Sequence, residues 1–385
     1  MIAAQDFIDE CKGVGLRFFS GTPCSYLKPF INAVIDDPGV QFRDAVNEGD
    51  AVAMVAGAHI AGLGGVAIFQ NSGFGNAVNA LTSLIHPFQI PLLLIITHRG
   101  QPGGPPDEPQ HELMGEITNE LLDTLRIRWE AFPRESGEVS NVLNRARSHM
   151  LEHSAPYALV MAKGSVADYK LQQASRTEPI GTRSYYFREE LDRGYAARST
   201  RAEVLREILA NRRSTDVIIA TTGYTGRELY ALDDDKSHLY MVGSMGSASA
   251  FGLGVALNVP SRRIVVIDGD GAALMRMGNL ASVGAFHPTN FFHMILDNEA
   301  HESTGGQGTV SRDVSFGAVA QACGYRDAVS SDSLDTIRAF FGAGDCGSGP
   351  SMLHFRIRSG ALKDLGRPTI RPHQVKERFM RHLQL

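Results

Sequence analysis

The 385-residue sequence has few cysteines, no long apolar run and no excess of positive charge. Its four cysteines, at positions 11, 24, 323 and 346, form no CxxC pair, which argues against a disulfide framework and a structural zinc site. No uninterrupted apolar run reaches about 18 residues, and the opening MIAAQDFIDECKGVG lacks the pattern of a secretion signal. The net charge of −5 offers no basic surface to nucleic acid. We therefore expect a cytoplasmic protein whose partner is neither a membrane nor a nucleic acid.

Short apolar segments recur along the chain and are separated by longer segments with helical patterns. They are residues 66–69, 91–97, 158–161, 217–221, 264–267, 291–296 and 352–357. Continuous apolar strands that alternate with helices indicate parallel sheets covered by helices on both faces. The sequence therefore predicts an α/β protein with two doubly wound parallel-sheet domains, residues 1–165 and 201–385, joined by a polar linker at 166–200.

Polar side chains follow two consecutive predicted strands of the second domain. Asp268 and Asp270 stand at the end of VVIDGD, and Asn298 ends FFHMILDN, with a helix expected around residues 273–283 between them. Because the carboxyl ends of parallel strands meet at one edge of a sheet, we expect Asp270 and Asn298 to be neighbours. With the carbonyl of Ala300 they form a set of hard oxygens suited to Mg²⁺, which would hold a phosphorylated ligand. For either residue alone, turn chemistry at a strand end is the rival interpretation.

A second phosphate-binding feature precedes this pair. In VIIATTGYTGREL a strand ends in threonines and glycines and a helix follows at once. Backbone N–H groups at the start of a helix bind phosphate well, although this signal is weak by itself.

GDG followed at this distance by DN resembles the signature of thiamin diphosphate enzymes, in which Mg²⁺ bridges the diphosphate to the protein. The resemblance implies that Asp270, Asn298 and the carbonyl of Ala300 are metal ligands. It also implies that Glu48, in VNEGDAVAMVAG, contacts the pyrimidine ring and activates the cofactor. Asp297 stands where many members have Asn. The other cofactor contacts that the resemblance implies are Gly223, Tyr224, Thr225, Gly243, Ser244, Met245, Gly269, Gly271, Ala272 and His301.

A finer resemblance covers nearly the whole chain. GTPCSYLKPF, QNSGFGNAVNALTSL, HRGQPGGPPDEPQHELMG, LDNEAHESTGGQGTVS and GALKDLGRPTIRP are similar to the phosphonopyruvate decarboxylase family, with sulfopyruvate decarboxylase a close relative. The resemblance implies a pyrimidine-binding domain followed by a diphosphate-binding domain, without a central domain. It implies decarboxylation of 3-phosphonopyruvate to phosphonoacetaldehyde and CO₂, in phosphonate biosynthesis. One chain with both halves favours this substrate over sulfopyruvate, while Cys24, Tyr224 and the GQPGGPP segment depart from the family pattern.

The resemblance also suggests residues that face the substrate. Asp107, His111 and His301 are candidates for proton transfer or for recognition of the anionic end of the substrate, with a solvated or structural histidine as the alternative. Arg99 suits a tetrahedral oxyanion, and ordinary surface pairing is its alternative. The other expected substrate contacts are Thr22, Pro23, Cys24, Ser25, Asn71 and Ser72. Residues 305–307 are expected to form a mobile lid.

Several alternatives to this function stay open. The substrate is a small 2-oxo acid, and sulfopyruvate or a related 3-anionic acid would fit the same motifs. A carboligase, which joins the substrate fragment to an acceptor carbonyl, would retain the cofactor. A non-catalytic thiamin diphosphate-binding subunit would have no chemical need for Glu48. No strand leads into a clear GxGxxG, so a nicotinamide dehydrogenase is poorly supported. The resemblance further implies a homodimer or higher homo-oligomer with active sites between subunits.

Overall fold

A computed structural model describes residues 1–173, 185–342 and 349–383. The chain divides into two compact units, Met1–Pro179 and Ile180–Leu385, and each is described by itself.

The first unit is built on six parallel strands. They are β1 (Leu16–Gly21), β2 (Gln41–Asp44), β3 (Gly64–Gln70), β4 (Leu93–Thr97), β5 (Arg128–Ala131) and β6 (Tyr157–Met161), in the sheet order β2-β1-β3-β4-β6-β5. The helices are α1 (Ala4–Gly13), α2 (Lys28–Asp36), α3 (Glu48–Ile60), α4 (Phe74–Ala80), α5 (His86–Phe88), α6 (Glu112–Thr124) and α7 (Ser136–His153). A π-helical turn, Leu81–Ile85, joins α4 to α5, and short 3-10 turns occupy Asn71–Gly73 and Pro109–His111.

Helix α3 positions the predicted cofactor residue of this unit. Asn47 caps the helix by accepting a hydrogen bond from the Gly49 N–H at 2.8 Å, so Glu48 is its first residue. From Gly49 onward the helix is buried on nearly all sides, as expected for an apolar segment such as AVAMVAGA. The rigid packing of α3 therefore holds Glu48 at the carboxyl edge of the sheet.

The second unit is built on seven parallel strands and a small antiparallel hairpin. The parallel strands are β7 (Tyr186–Glu190), β8 (Val217–Ala220), β9 (His238–Tyr240), β10 (Ile264–Gly269), β11 (Phe291–Asp297), β14 (Asp327–Ser331) and β15 (Ser351–Arg356), and the hairpin strands are β12 (Ala300–His301) and β13 (Gln307–Gly308). The parallel sheet has the order β7-β14-β15-β11-β10-β8-β9.

Eight helices are described in the second unit. They are α8 (Arg201–Asn211), α9 (Tyr224–Leu232), α10 (Ala248–Asn258), α11 (Asp270–Met275), α12 (Asn279–Phe286), α13 (Phe316–Ala322), α14 (Leu334–Gly342) and α15 (Pro372–Leu383). Short 3-10 turns lie at Tyr195–Ala197, Glu302–Thr304 and Val310–Asp313.

The predicted fold class, two parallel-sheet α/β domains, is confirmed. The seven apolar segments of the sequence correspond to β3, β4, β6, β8, β10, β11 and β15, which are buried along all or nearly all of their length. The sheet edges have weaker apolar patterns, because β5 and β7 carry charged residues. Such charges protect an exposed edge from pairing with another chain.

At two places the local structure differs from what the sequence predicts. The single helix expected around residues 273–283 was wrong: Arg276 leaves the helical region at φ −133° and ψ 36°, which ends α11. Helix α12 restarts at the buried Asn279, whose Nδ2 donates to Ser249 Oγ at 2.9 Å. In the segment interpreted as a linker, residues 186–190 form β7 beside β14, and residues 174–184 lie outside the described residues.

Across the residues that the structure describes, every helix is too short or too polar to span a lipid bilayer.

Candidate active site

Asp270 lies at the carboxyl edge of the second sheet, where β10 passes directly into α11. Its side chain is buried, and Thr309 Oγ1 donates to its Oδ2 at 2.5 Å. Burial raises the pKa of the Asp270 carboxyl, and the nearby charge of Asp297 raises it further, although the hydroxyl of Thr309 opposes both effects. A bound cation would lower this pKa and favour the charged carboxylate. The environment of Asp270 therefore suits a metal ligand.

Asn298 and Ala300 form a tight turn at the end of the neighbouring strand. Strands β10 and β11 are paired in parallel, with Gly269 opposite Leu296, so both carboxyl ends reach the same edge. Asn298 Oδ1 accepts the Ala300 N–H at 3.2 Å, while its Nδ2 donates to Glu302 Oε2 at 3.1 Å. The predicted amide and carbonyl ligands thus belong to one turn beside Asp270.

Asp297, the departure from the usual asparagine, fastens this turn to the sheet. Its Oδ2 lies 2.9 Å from His354 Nε2, and its Oδ1 accepts the Glu299 N–H at 2.9 Å. Burial alone would raise the pKa of Asp297, but the hydrogen bond from His354 and the charge of Arg356 hold it below its ordinary value. The negative charge of Asp297 therefore interacts with His354 and Arg356 of the neighbouring strand β15. A neutral asparagine would not supply this charge.

The start of α9 faces the same region. Gly223 has φ +94°, a conformation that favours glycine, and the helix begins at Tyr224. The residues of this helix start line a pocket of about 70 Å³ together with Asp270 and Met245. Free N–H groups at a helix start, small glycines and a metal site suit a diphosphate.

Gly271 also lines this pocket, and its lack of a side chain lets His301 and Met245 approach closely. A Cβ atom there would lie 2.7 Å from His301 Cε1 and 3.0 Å from Met245 Cε.

Within the described residues, no group of three or more His, Cys, Asp or Glu side chains is arranged to hold a metal ion. If Asp270, Asn298 and Ala300 hold Mg²⁺ as the sequence predicts, their three oxygens would leave the other octahedral positions to water or phosphate oxygens.

The pocket brings together most of the predicted cofactor contacts of the second unit. Its lining includes Gly223, Tyr224, Thr225, Met245, Gly269, Asp270, Gly271, Ala272, Asn298, Ala300 and His301. Gly243 and Ser244 are not part of it: the buried Ser244 turns its hydroxyl toward Ser247, 2.8 Å away. The pocket also includes Thr222, which lies in the quoted phosphate-binding motif, and Glu302, Ser303 and Arg201, which were not predicted. Glu302 and Ser303 follow His301 in a quoted motif, whereas Arg201 lies in no motif.

Glu48 is fixed in the first unit by donors to both carboxylate oxygens. Thr22 Oγ1 donates to Oε1 at 3.0 Å, and Asn76 Nδ2 donates to Oε2 at 2.8 Å. Gly73 packs directly against this side chain, since a Cβ on Gly73 would lie 2.2 Å from Glu48 Oε1. The sequence pointed to Glu48 and Thr22, whereas Gly73 and Asn76 lie in the quoted motif QNSGFGNAVNALTSL but were not singled out.

Arg99 and Asp107 form a two-point ion pair beyond the end of β4. Arg99 Nε donates to Asp107 Oδ2 at 2.6 Å and Nη2 to Oδ1 at 2.5 Å, while Tyr26 Oη donates to Oδ2 at 3.0 Å. The hydrogen bonds from Arg99 hold the pKa of Asp107 well below its usual range, despite partial burial. Asp107 is therefore ionised at neutral pH. Arg99 Nη1 points to Ser25 Oγ at 3.1 Å.

His111 extends this network toward the end of β3. Its Nδ1 lies 3.2 Å from Asp107 Oδ1, and its Nε2 lies 3.1 Å from Gln70 Nε2. The tautomer that fits both contacts has a proton on Nδ1 and a basic Nε2. Gln70 also contacts the exposed Ser72.

The other predicted substrate contacts differ in their environment. Asn71 is buried and exchanges two hydrogen bonds with the backbone of Arg99, at 2.9 and 3.2 Å. Cys24 is buried, with Sγ 3.6 Å from Thr97 Oγ1, whereas Pro23 and Ser25 are exposed. Asn71 thus braces the end of β4, and the loop after β1 presents Pro23 and Ser25 at the surface of the unit.

Family models match both halves of the chain. Residues 1–121 match the model "Thiamine pyrophosphate enzyme, N-terminal TPP binding domain", and residues 222–355 match "Thiamine pyrophosphate enzyme, C-terminal TPP binding domain". Thiamine pyrophosphate is another name for thiamin diphosphate, so the predicted cofactor is confirmed.

Curated relatives and a solved structure agree with these models. The chain is 45% identical to a phosphonopyruvate decarboxylase of Streptomyces viridochromogenes, over 98% of this chain and 94% of the relative. It is 43% identical to that of Streptomyces hygroscopicus, over 98% and 93%. A sulfopyruvate decarboxylase of Methanosarcina acetivorans is 26% identical, over 99% and 97%. The fold matches a thiamine diphosphate-dependent 4-hydroxybenzoylformate decarboxylase of Rhodococcus jostii with a TM-score of 0.73 at 13% identity, covering 94% of this chain and 100% of that one. The chain therefore belongs to the phosphonopyruvate decarboxylase family of thiamine pyrophosphate enzymes.

Proposed function

We propose that this protein decarboxylates 3-phosphonopyruvate to phosphonoacetaldehyde and CO₂, with thiamin diphosphate and Mg²⁺ as cofactors, in phosphonate biosynthesis. The observation that carries the proposal is the identity to two phosphonopyruvate decarboxylases over 98% of the chain. The retention of Glu48 together with Asp270 and Asn298 supports a catalytic protein over a non-catalytic cofactor-binding subunit.

In this proposal Asp270, Asn298 and the Ala300 carbonyl hold Mg²⁺, and the start of α9 binds the diphosphate. Bound thiamin diphosphate supplies the electron sink for the loss of CO₂. Glu48 would contact the pyrimidine ring of the bound cofactor, and its carboxylate would hold or release a proton there. Thr22 and Asn76 orient the Glu48 carboxylate for this role, because each donates to a different oxygen.

The anionic end of the substrate is proposed to bind beside Arg99. Arg99 Cζ lies 4.7 Å and Lys163 Nζ lies 5.9 Å from the centre of the Tyr26 ring, which places two cations around this side chain, and its hydroxyl donates to Asp107. Since Asp107 is ionised, its proposed role is to orient Arg99 and His111. The basic Nε2 of His111 and the ring of His301 are the proposed groups for proton transfer.

Sulfopyruvate is the second candidate substrate. The Methanosarcina sulfopyruvate decarboxylase matches this chain over nearly the full length of both proteins. The presence of both halves on one chain therefore does not separate the two activities, contrary to the sequence-based argument. Phosphonate and sulfonate differ in charge, and the cations beside Tyr26 favour the more highly charged phosphonate.

The test is CO₂ release by the purified protein with thiamin diphosphate and Mg²⁺. Phosphonopyruvate, sulfopyruvate, oxaloacetate and pyruvate are offered separately, and phosphorus NMR follows the first. We expect rapid CO₂ release from phosphonopyruvate, with phosphonoacetaldehyde formed in equal amount. Preference for sulfopyruvate would overturn the substrate, and a phosphorus-containing product with extra carbons would indicate a carboligase.

We also propose that the protein is a homodimer or a higher homo-oligomer. The support is the family resemblance, in which Glu48 of one copy and Asp270 of another would serve the same active site.

A further inference from the structure

Glu302 follows the predicted metal ligands, and the proposed function assigns it no role. It begins the 3-10 turn Glu302–Thr304 and receives three hydrogen bonds. Asn298 Nδ2 and Arg201 Nη2 donate to its Oε2, at 3.1 and 2.5 Å, and the Gly360 N–H donates to its Oε1 at 2.5 Å. One carboxylate thus joins a predicted metal ligand to the start of α8 and to the GALKDLG segment.

Arg201 is held in place by its own set of partners. It is the first residue of α8, which Thr200 and Glu203 close with a reciprocal capping box. Only 6% of Arg201 is exposed, and its Nη1 lies 3.6 Å from Oε2 of the fully buried Glu228. An arginine placed between two carboxylates has little freedom to move.

Glu228 ties the same network to the GALKDLG segment. Its Oε1 accepts the Leu362 N–H at 2.8 Å. Burial raises the pKa of Glu228, and the charge of Arg201 opposes that effect. Arg227, next to Glu228 on α9, donates to the carbonyls of Leu365 and Gly366. The segment that the sequence comparison singled out therefore supplies backbone donors to both carboxylates, Glu302 and Glu228.

This network determines which end of the Asn298 amide faces the metal site. Asn298 is 3% exposed, and its Nδ2 has two acceptors, Glu302 Oε2 and Ser359 Oγ, the latter at 3.4 Å. Its Oδ1 is turned to the Ala300 N–H. A flipped amide would set Oδ1 against the Glu302 carboxylate and Nδ2 against the Ala300 N–H, which are two repulsive contacts. The observed network allows only the orientation that offers oxygen to a cation.

We propose that Glu302 is a positioning residue that orients Asn298 for Mg²⁺ and that Arg201 and Gly360 hold Glu302 in place. The inference rests on the proposed metal site of the function above, but it does not depend on which 2-oxo acid is the substrate. Groups that orient a metal ligand typically contribute about 10- to 100-fold to metal affinity.

The first test is Mg²⁺ affinity without substrate. Protein freed of metal is titrated with Mg²⁺ at constant thiamin diphosphate, and the bound cofactor is measured by equilibrium dialysis. Glu302→Gln keeps the side-chain volume but sets its NH₂ group against a donor in either orientation. We expect Mg²⁺ affinity to fall about 10- to 100-fold. Glu207→Gln is the matched control, since Glu207 lies on the same helix as Arg201 but pairs with the exposed Arg338.

A double-mutant cycle separates orientation from general stability. Asn298→Asp faces Glu302 with a second carboxylate in the native background, whereas in the Glu302→Gln background the new carboxylate accepts from the glutamine NH₂. Asn298→Asp changes the Mg²⁺ affinity by some factor in each background. We expect this factor to be at least about tenfold more favourable in the Glu302→Gln background than in the native background.

Two results would overturn the inference: native Mg²⁺ affinity in Glu302→Gln, or additive effects of the two substitutions. Failure of the wild-type protein to bind Mg²⁺ with thiamin diphosphate would instead overturn the metal site of the proposed function. An error in the substrate would leave all of these affinities unchanged.

Discussion

Two acidic residues that the sequence singled out have opposite surroundings. Asp107 receives a two-point ion pair from Arg99, which holds its pKa well below the usual range. Burial raises the pKa of Asp270, which is contacted by the hydroxyls of Thr309 and Ser311. At the scale of single residues, one carboxylate is neutralised within the unit, and the other is suited to an added cation.

Asp107→Asn is expected to destabilise the first unit by about 1–2 kcal/mol at neutral pH, a value that allows for solvent screening. Because the folded pKa lies below the unfolded value of about 3.9, the contribution of Asp107 is fully present above that pH. It is lost as the pH falls through the folded value. Urea unfolding followed by circular dichroism should therefore show a constant difference between wild type and variant from about pH 5 to pH 8, which narrows in more acidic solution.

The exposed Glu120→Gln provides the control for this measurement. Equal unfolding midpoints for Asp107→Asn and the control at pH 7 would contradict the role of the ion pair.

At the scale of elements, the polar residues predicted to form the site lie at the carboxyl ends of the strands in both sheets. Thr22, Asn71 and Arg99 follow β1, β3 and β4, and Asp270 and Asn298 follow β10 and β11. Parallel pairing makes these ends adjacent, as expected for ligand sites of open α/β sheets. Short turns after the strands then set the direction of each side chain. The close packing of the Asn71–Gly73 turn against the start of α3 is one such case.

Gly73→Ala is expected to lower turnover by on the order of 100-fold, a loss typical of a misplaced proton-transfer group. The added Cβ would lie 2.2 Å from Glu48 Oε1, so the carboxylate must move. Gly73 has φ −84°, so the effect comes from lost space and not from backbone strain. Steady-state decarboxylation with saturating cofactor measures the loss.

Gly75→Ala is the matched control, because a Cβ at Gly75 meets nothing within 4 Å. We expect it to leave turnover unchanged. The same turnover in both variants would show that the position of Glu48 tolerates the added methyl group.

At the scale of the whole molecule, the residues proposed to hold the cofactor are divided between the two compact units. Glu48 belongs to the first unit, and Asp270 and Asn298 belong to the second. Under the proposed function each unit would contribute part of an active site, and the proposed homo-oligomer would combine parts from different copies.

Mixed dimers test this division of the active site. Glu48→Gln and Asp270→Ala should each be nearly inactive alone. When the two variants are co-expressed with different tags and purified through both, each mixed dimer has one native site and one doubly substituted site. We expect about half of the wild-type turnover per dimer, as two-fold symmetry requires. Inactive mixed dimers would contradict sites shared between copies.

The sequence alone determined the fold class and the cofactor. Burial leaves a direct trace in composition, so the apolar segments predicted most of the interior strands of both sheets, although not β1 or β14. The parallel direction of consecutive strands in a βαβ unit was enough to predict that Asp270 and Asn298 are neighbours. Charged edge strands such as β7 and the break between α11 and α12 were missed, because their patterns depend on local contacts more than on burial.

Only the tertiary structure decided the partners of the charged groups. Arg201 and Glu302 are separated by 101 residues, and their pairing follows from the meeting of α8 with the turn after β11. Asn76 and Gly73 were likewise identified as neighbours of Glu48 only once α3 and α4 were packed together. The physical reason is that burial is repeated along the chain with the period of each element, whereas an ion pair depends on which distant segments the fold brings within about 4 Å.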